Sequence, residues 1–278
     1  MNSRPMAGPH QGYSGDSYGH TDPPCSSGGY HEMQLDKAMA QAEAAKAPDG
    51  AGAMPGPVGQ GRRARAGRRE VRGRVKFRVE PYATGPLRVF VAPQKGRRYV
   101  IGGDPAAGET DKDFSAATVC DAEHGSIVAA YSAHVPPSPF AEELCAPGWY
   151  YSSDDGTPAF MVPERNNHGI ALIDALLRLG YPHIYTRRVW DDASAGWVPK
   201  LGFATSMVSK PILINRGRIA LANPNCVIRD IHVLRQMGTW VRNETGREVP
   251  LAGCYDDSLM SFLLALEGIA TLYDRGSQ

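Results

Sequence analysis

From Val71 onward apolar residues recur in short, regular runs, and their periods sort the chain into strands and helices. Val75, Phe77 and Val79 alternate with Lys76 and Arg78, and Leu87, Val89 and Val91 alternate with Arg88 and Phe90. A period of two predicts two half-exposed strands. Tyr99, Val100 and Ile101 form a continuous apolar run that ends in Gly102, Gly103 and Asp104. That run predicts a buried strand whose end another element can approach closely. Ser115 to Cys120 and Ser126 to Ala133 read as two more strands, joined at Glu123-His124-Gly125. Three strands linked by tight turns predict an antiparallel meander.

Further on, strand and helix patterns alternate. Pro139 to Leu144 starts a helix, and Ala159 to Val162 is an apolar strand that ends at Pro163-Glu164. Asn167 or His168 opens a helix in which Ile170, Leu172, Ile173, Leu176, Leu177 and Leu179 recur near helical spacing, closed by Gly180. His183 to Tyr185 and Cys226 to Ile228 read as short strands, with Lys200 to Thr205 between them. Helices are predicted from about Ser209 to Ala222 and near Asp230 to Met237. A hairpin pairs Thr239 to Arg242 with Glu248 to Leu251 around Thr245-Gly246. Asp256 to Leu272 is a long helix, apolar on one broad side and opened by two carboxylates. Strands alternating with helices argue for parallel pairing, so the pattern predicts a mixed α/β sheet with helices packed on it.

Composition changes the picture only before Val71. Residues 1 to about 60 are rich in Gly, Pro, Ser and Ala and poor in large apolar side chains. Such a segment cannot bury enough surface to offset its ordering entropy, so disorder is expected, with at most a transient helix from Met33 to Ala47. A basic cluster follows: Arg62, Arg63, Arg65, Arg68, Arg69, Arg72 and Arg74, relieved by Glu70. Two readings stand side by side, a flexible arm that contacts phosphates by charge and a solvated linker that keeps the tail soluble. The expected division is therefore a disordered tail over residues 1–70 and one folded domain over 71–278.

The formal net charge of the 278 residues is +1, so no overall field drives the chain toward nucleic acid or membrane. Five scattered cysteines with no CxxC pair and no Cys/His metal spacing read as free thiols in a reducing compartment. The N-terminus lacks an apolar signal core, and no apolar run is long enough to span a bilayer, which predicts a soluble intracellular protein.

Candidate chemistry begins at Asp104. Gly103 to Thr110 has the glycine spacing and final threonine of a phosphate-binding loop, but Glu109 stands where lysine is required and a β-rich run follows where a helix is required. Triphosphate binding is therefore rejected. Three acidic sites remain, each where a buried element reaches the surface: Asp104, Glu164, and the pair Asp256-Asp257. Taken locally they are a turn former, a strand-end salt bridge and a helix cap. Taken together, a fourth strand lying beside the first brings Glu164 to Asp104, and a closing helix delivers Asp256 or Asp257. Carboxylates so close repel one another unless they bind cations, and hard divalent ions suit them. Two ions about 3.5–4 Å apart can clamp the attacking and leaving oxygens of a phosphodiester.

Three blocks carry a resemblance: Val100-Ile-Gly-Gly-Asp104-Pro-Ala-Ala-Gly108, Val162-Pro-Glu164-Arg-Asn166-Asn167-His168-Gly169 and Gly253-Cys-Tyr-Asp256-Asp257-Ser-Leu-Met260. With Lys200 to Thr205 and Lys210 to Ile214 between the last two, they resemble the nuclease domain of the phage large terminase subunit. The resemblance runs in order over roughly residues 75 to 272. It implies a ribonuclease H-like mixed β-sheet flanked by helices, and a metal-dependent endonuclease that cuts double-stranded, concatemeric viral DNA with two Mg2+ or Mn2+ ions. It also implies that Asp104, Glu164, Asp256 and Asp257 are catalytic metal ligands. A separate P-loop ATPase motor, a small terminase subunit and a portal are the implied partners, and the cytoplasm of an infected bacterium the implied location. Two features depart from the family: Tyr255 stands where it usually has histidine, and residues 1–98 offer no ATPase motor. The alternatives are a catalytically silent DNA-binding or packaging-complex protein, and another ribonuclease H-like enzyme of resolvase or transposase type.

Overall fold

A computed structural model describes residues 61–71, 74–110 and 113–276. The expected meander is there: β4 (Tyr99–Asp104), β5 (Ser115–Asp121) and β6 (Ile127–Ala133) pair antiparallel in sequence order. β7 (Phe160–Pro163) then joins β4 in parallel, with Gly103 opposite Pro163. The first meander strand thus lies against the fourth strand, as the alternating pattern requires. On the far side β3 (Leu87–Val89), β1 (Arg62–Val71) and β2 (Arg74–Pro81) extend the sheet to the order β2-β1-β3-β6-β5-β4-β7. This is the mixed, helix-flanked sheet of a ribonuclease H-like fold.

Alternation along β4 sends Ile101 and Gly103 to one face and Val100, Gly102 and Asp104 to the other. On the first face α1 (Pro137–Tyr150) and α2 (Gly169–Arg178) cover a core of Ile101, Val119, Tyr131, Phe140, Leu144 and Met161. On the second face lies α5 (Asp257–Gly276), backed by α3 (Lys210–Ala222) and α4 (Ile231–Gly238), over Val100, Cys120, Val162, Phe262 and Leu264. Two small hairpins complete the fold, β8 (Thr186–Asp191) with β9 (Gly196–Leu201), and β10 (Trp240–Arg242) with β11 (Glu248–Pro250).

Glycines let α5 sit directly on the sheet. A Cβ at Gly102 would stand 2.5 Å from Ala265 N and closer still to the Ser261 carbonyl. A Cβ at Gly268 would meet Val162 Cγ2 at 2.5 Å and Val100 Cγ1 at 2.6 Å. In this seam Thr118 and Ser261 share a buried hydroxyl–hydroxyl bond of 2.8 Å.

Several elements differ from expectation. The arginine cluster is not an unstructured arm: residues 62–71 form β1, which crosses the expected boundary at residue 70. Small residues explain this. Ala64 is buried against the α1-side core while arginines alternate outward, and the unpaired edge of β3 supplies a template. The expected tail over residues 1–60 and Arg72 lie outside the described residues. The helix expected to start with 139–144 begins two residues earlier, at Pro137, and runs to Tyr150 with Pro147 inside it, held by the burial of Phe140, Leu144 and Cys145. Ile184 makes only an isolated bridge to Met161, and Val227 accepts from Ile127 N (3.0 Å) and donates to Ser126 Oγ (3.0 Å) without a ladder, so neither segment is a strand. The β8–β9 hairpin was not predicted, because both its faces are largely exposed and no apolar alternation marks it. Cys120, Cys145 and Cys226 are buried free thiols, and Cys254 is an exposed one.

Candidate active site

Asp104 is the last residue of β4, and Glu164 follows β7 directly. Parallel pairing continues past the strand ends, with Glu164 N donating to Gly103 O at 2.7 Å. The two side chains consequently stand at neighbouring strand ends, close enough for the charge of Glu164 to act on Asp104. The turn after Glu164 is built for tightness: Gly169 N donates to Asn166 O at 2.7 Å, Asn167 adopts a φ of 44°, and any Cβ on Gly169 would collide with the Glu164 carbonyl. Asn166 Nδ2 donates to Glu164 Oε1 (3.3 Å) and to Thr205 O (2.5 Å), which steadies the glutamate.

The start of α5 brings the other acidic pair. Asp257 is the first helical residue and is buried. Its Oδ2 accepts from Phe114 N at 3.1 Å, so the chain entering β5 fixes it. The Phe114 ring packs on His134, with ring centroids 3.9 Å apart, and His134 Nδ1 is buried with no hydrogen bond among the described residues. Asp256 is half exposed and pairs with Lys210 Nζ at 3.4 Å, whose ammonium also lies 4.9 Å from the centre of the Trp240 ring.

These environments set the proton affinities. Burial first, then the charge of Glu164 and the hydrogen bond to it, then Asp257 and Asp256, hold the Asp104 carboxyl well above the usual carboxylate range. Asp257 is pushed up to about 7, by burial first, with Asp113 and Asp256 adding to the effect and the Phe114 N–H opposing it. Among the described residues, no three His, Cys, Asp or Glu side chains already stand as a ready-made metal cage. The donor set nonetheless fits a hard divalent ion: it is all carboxylate oxygen, and its cost of crowding is one that a cation relieves.

Of the four acidic residues singled out in the sequence, Asp104 and Glu164 stand at neighbouring strand ends, and Asp257 and Asp256 lie close enough for their charge to act on Asp104. The arginines stand elsewhere. Arg62, Arg63, Arg65, Arg68 and Arg69 lie on β1 and Arg74 starts β2, on the opposite side of the sheet order. Sequence reasoning missed Lys210, Asn166, His134 and the Phe114 N–H. The first two fall inside blocks that carry the family resemblance, which is the one signal that could have raised them.

Asp104 and Glu164 at neighbouring strand ends are hard oxygen donors of the kind that divalent ions prefer. Comparison with solved structures bears on the fold that carries them. The chain resembles the large terminase nuclease from thermophilic phage G20c with bound cobalt, at a TM-score of 0.51 and 19% identity, over 67% of this chain and 89% of that one. The same nuclease with bound magnesium matches equally, at 0.51 and 19% over 67% and 89%. At this identity the likeness establishes the fold. No family model and no curated protein sequence matches.

Proposed function

We infer that the chain is a metal-dependent endonuclease that hydrolyses phosphodiester bonds of double-stranded, concatemeric viral DNA during phage genome packaging. The observation that carries this reading is the placement of Asp104 and Glu164 at the ends of adjacent parallel strands, with Asp257 and Asp256 close enough to act on Asp104 by charge. Likeness to the phage G20c nuclease, solved with bound cobalt and with bound magnesium, supports it. Asp104, Glu164, Asp256 and Asp257 would hold the metal, Mg2+ or Mn2+ as a pair. Bound there, such ions would supply Lewis-acid activation of water and stabilisation of the leaving oxygen.

The remaining residues prepare the site. Asn166 restrains Glu164, and the Phe114 N–H restrains Asp257. Lys210 pairs with Asp256 and leaves a cation at the rim, where a scissile phosphate would approach. A P-loop ATPase motor, a small terminase subunit and a portal are the partners this reading implies. Among the described residues no helix is long and apolar enough to cross a membrane, which accords with action in the host cytoplasm.

The test is to incubate purified protein with supercoiled plasmid and Mn2+ or Mg2+. Nicking and linearisation with little sequence preference are expected, and their loss in Asp104→Asn. Binding without nicking under every metal condition would favour the silent DNA-binding protein. Cleavage confined to branched DNA would favour the resolvase type.

A further inference from the structure

We propose that one face of the β1–β2 hairpin is a phosphate-binding platform for duplex DNA, made by Arg63, Arg65, Arg69, Lys76 and Arg78. The proposal deepens the DNA-cutting reading by naming residues that hold the substrate away from the cut. It rests on strand register. Residues directly opposite in an antiparallel pair share a face. Asp104 is opposite Ala116, Ala116 is opposite Ser132, and the same face continues through Ala130, Arg88 and Arg63. On β1 it then takes Arg65 and Arg69, and on β2 their partners Glu80 and Lys76, with Arg78 opposite Gly67. The platform is therefore on the same sheet face as Asp104.

Strand direction adds a second constraint. β3 and β1 are antiparallel, with Ala64 opposite Leu87, so β1 beyond Ala64 projects past the Leu87 end of β3. Leu87 is opposite Tyr131, near the end of β6, which is the end of the sheet where Asp104 and Glu164 stand. β2 lies five strand spacings from β4, about 24 Å along the sheet, or about seven base pairs of duplex. Sheet twist of about 20–25° per strand turns β2 by about 100–125° from β4, so the hairpin flanks the carboxylates rather than continuing alongside them.

Charge on the two faces of the hairpin is handled differently. On the α1 side Arg68 donates to Glu142 Oε1 at 2.9 Å, and Glu143 accepts from Ala66 N at 3.3 Å. On the platform side Glu80 is the acidic residue, between Arg65 (3.5 Å) and Arg78 (2.6 Å), whose side chains remain 51% and 64% exposed. Arg63 also donates to Gly85 O (3.2 Å), and the Arg65 guanidinium lies 4.7 Å from the centre of the Tyr82 ring. Five cations facing one carboxylate, open to solvent, suit a polyanion with regularly spaced charges rather than an acidic side chain or a single phosphate.

The experiment measures duplex binding by the full chain in EDTA, where no cleavage intervenes, as a function of salt. A labelled duplex of about 30 base pairs spans site and platform. Replacing Arg65, Arg69, Lys76 and Arg78 together by Gln is expected to lower the log–log salt slope by about 3 to 4, since each phosphate contact contributes about 0.9. Each single substitution is expected to lower it by about 0.9, which keeps the test decisive if the quadruple variant fails to fold. Arg68→Gln should leave the slope unchanged. Unchanged slopes in the platform variants, an equal fall in Arg68→Gln, or no duplex binding by the wild type would each overturn the platform. Plasmid nicking decides the nuclease reading separately: lost slopes with no nicking would leave a platform on a non-nuclease.

Discussion

Gly102 and Gly103 are adjacent in β4, yet alanine should act on them in very different ways. At Gly102 the added methyl meets the backbone of α5, 2.5 Å from Ala265 N and nearer to the Ser261 carbonyl. Backbone atoms in mid-helix cannot rotate aside, so restoring an ordinary contact of about 3.5 Å requires α5 to withdraw by about 1 Å or more. Overpacking of this kind costs about 1–3 kcal/mol, and a clash with backbone belongs at the upper end. For a domain of this size that is a fall in Tm of about 6–12 °C. The same withdrawal carries Asp257 away from Asp104, and a misplacement of about 1 Å costs about 100-fold in rate. At Gly103 the methyl faces the end of a side chain, Leu144 Cδ1 at 3.2 Å, with Leu172 and Phe140 at 4.0 Å. Leu144 can yield by a few tenths of an ångström, so Gly103→Ala should cost about 1 kcal/mol or less and leave the site in register. Thermal denaturation and plasmid nicking of the two variants, side by side, make the comparison. A Gly102→Ala protein as stable and active as wild type, or a Gly103→Ala protein damaged more, would show that α5 is not seated on β4 as described.

Three further outcomes follow from the same geometry. Asp104→Asn should abolish cleavage and the thermal stabilisation given by Mn2+ while the fold survives, measured by nicking and by melting with and without metal. Asp257, pushed up to about 7, keeps its proton in the folded state over a range where the unfolded chain, at 3.8, has lost it. The native state then binds more protons, so the metal-free protein should lose stability as pH rises from about 4 to about 7, by up to about 4 kcal/mol, and Asp257→Asn should flatten that slope in denaturant titrations. Asp230 pairs with Arg88 at 2.8 Å, both nearly inaccessible, and caps α4 through His232 N (3.0 Å). Asp230→Ala should cost about 3–5 kcal/mol by leaving a buried guanidinium unpaired, and Arg88→Met in the same protein should recover much of it.

The proposed carboxylate site is readable in the sequence because each member stands where a hydrophobic period stops. Ile101 and Val162 are fully buried, their strands end at Asp104 and just before Glu164, and parallel pairing sets the two strand ends side by side. Lys210 and His134 carried no such mark. Lys210 reaches Asp256 across 46 residues, and His134 packs on Phe114 after a full strand–turn–strand excursion. Contacts of that kind depend on how elements pack and leave no periodic trace.

Composition misled at β1 for a related physical reason. Composition counts arginine as charge, and on that count seven arginines between residues 62 and 74 read either as a flexible arm for phosphates or as a solvated linker. What the sheet selects is the residue between them. Ala64 fits beneath the hairpin because it is small, and its burial lets the arginines that alternate with it reach water while their backbone satisfies the edge of β3. A strand with a thin apolar face gains little from burial alone and is held by pairing on both sides, β2 on one and β3 on the other. That pairing turns a run of like charges into two sets with different environments. Arg68 is turned to Glu142, and Arg63, Arg65 and Arg69 are turned to the face that carries the carboxylates. The sign of the charge was visible in the sequence, but which side of the molecule it faces follows only from the register.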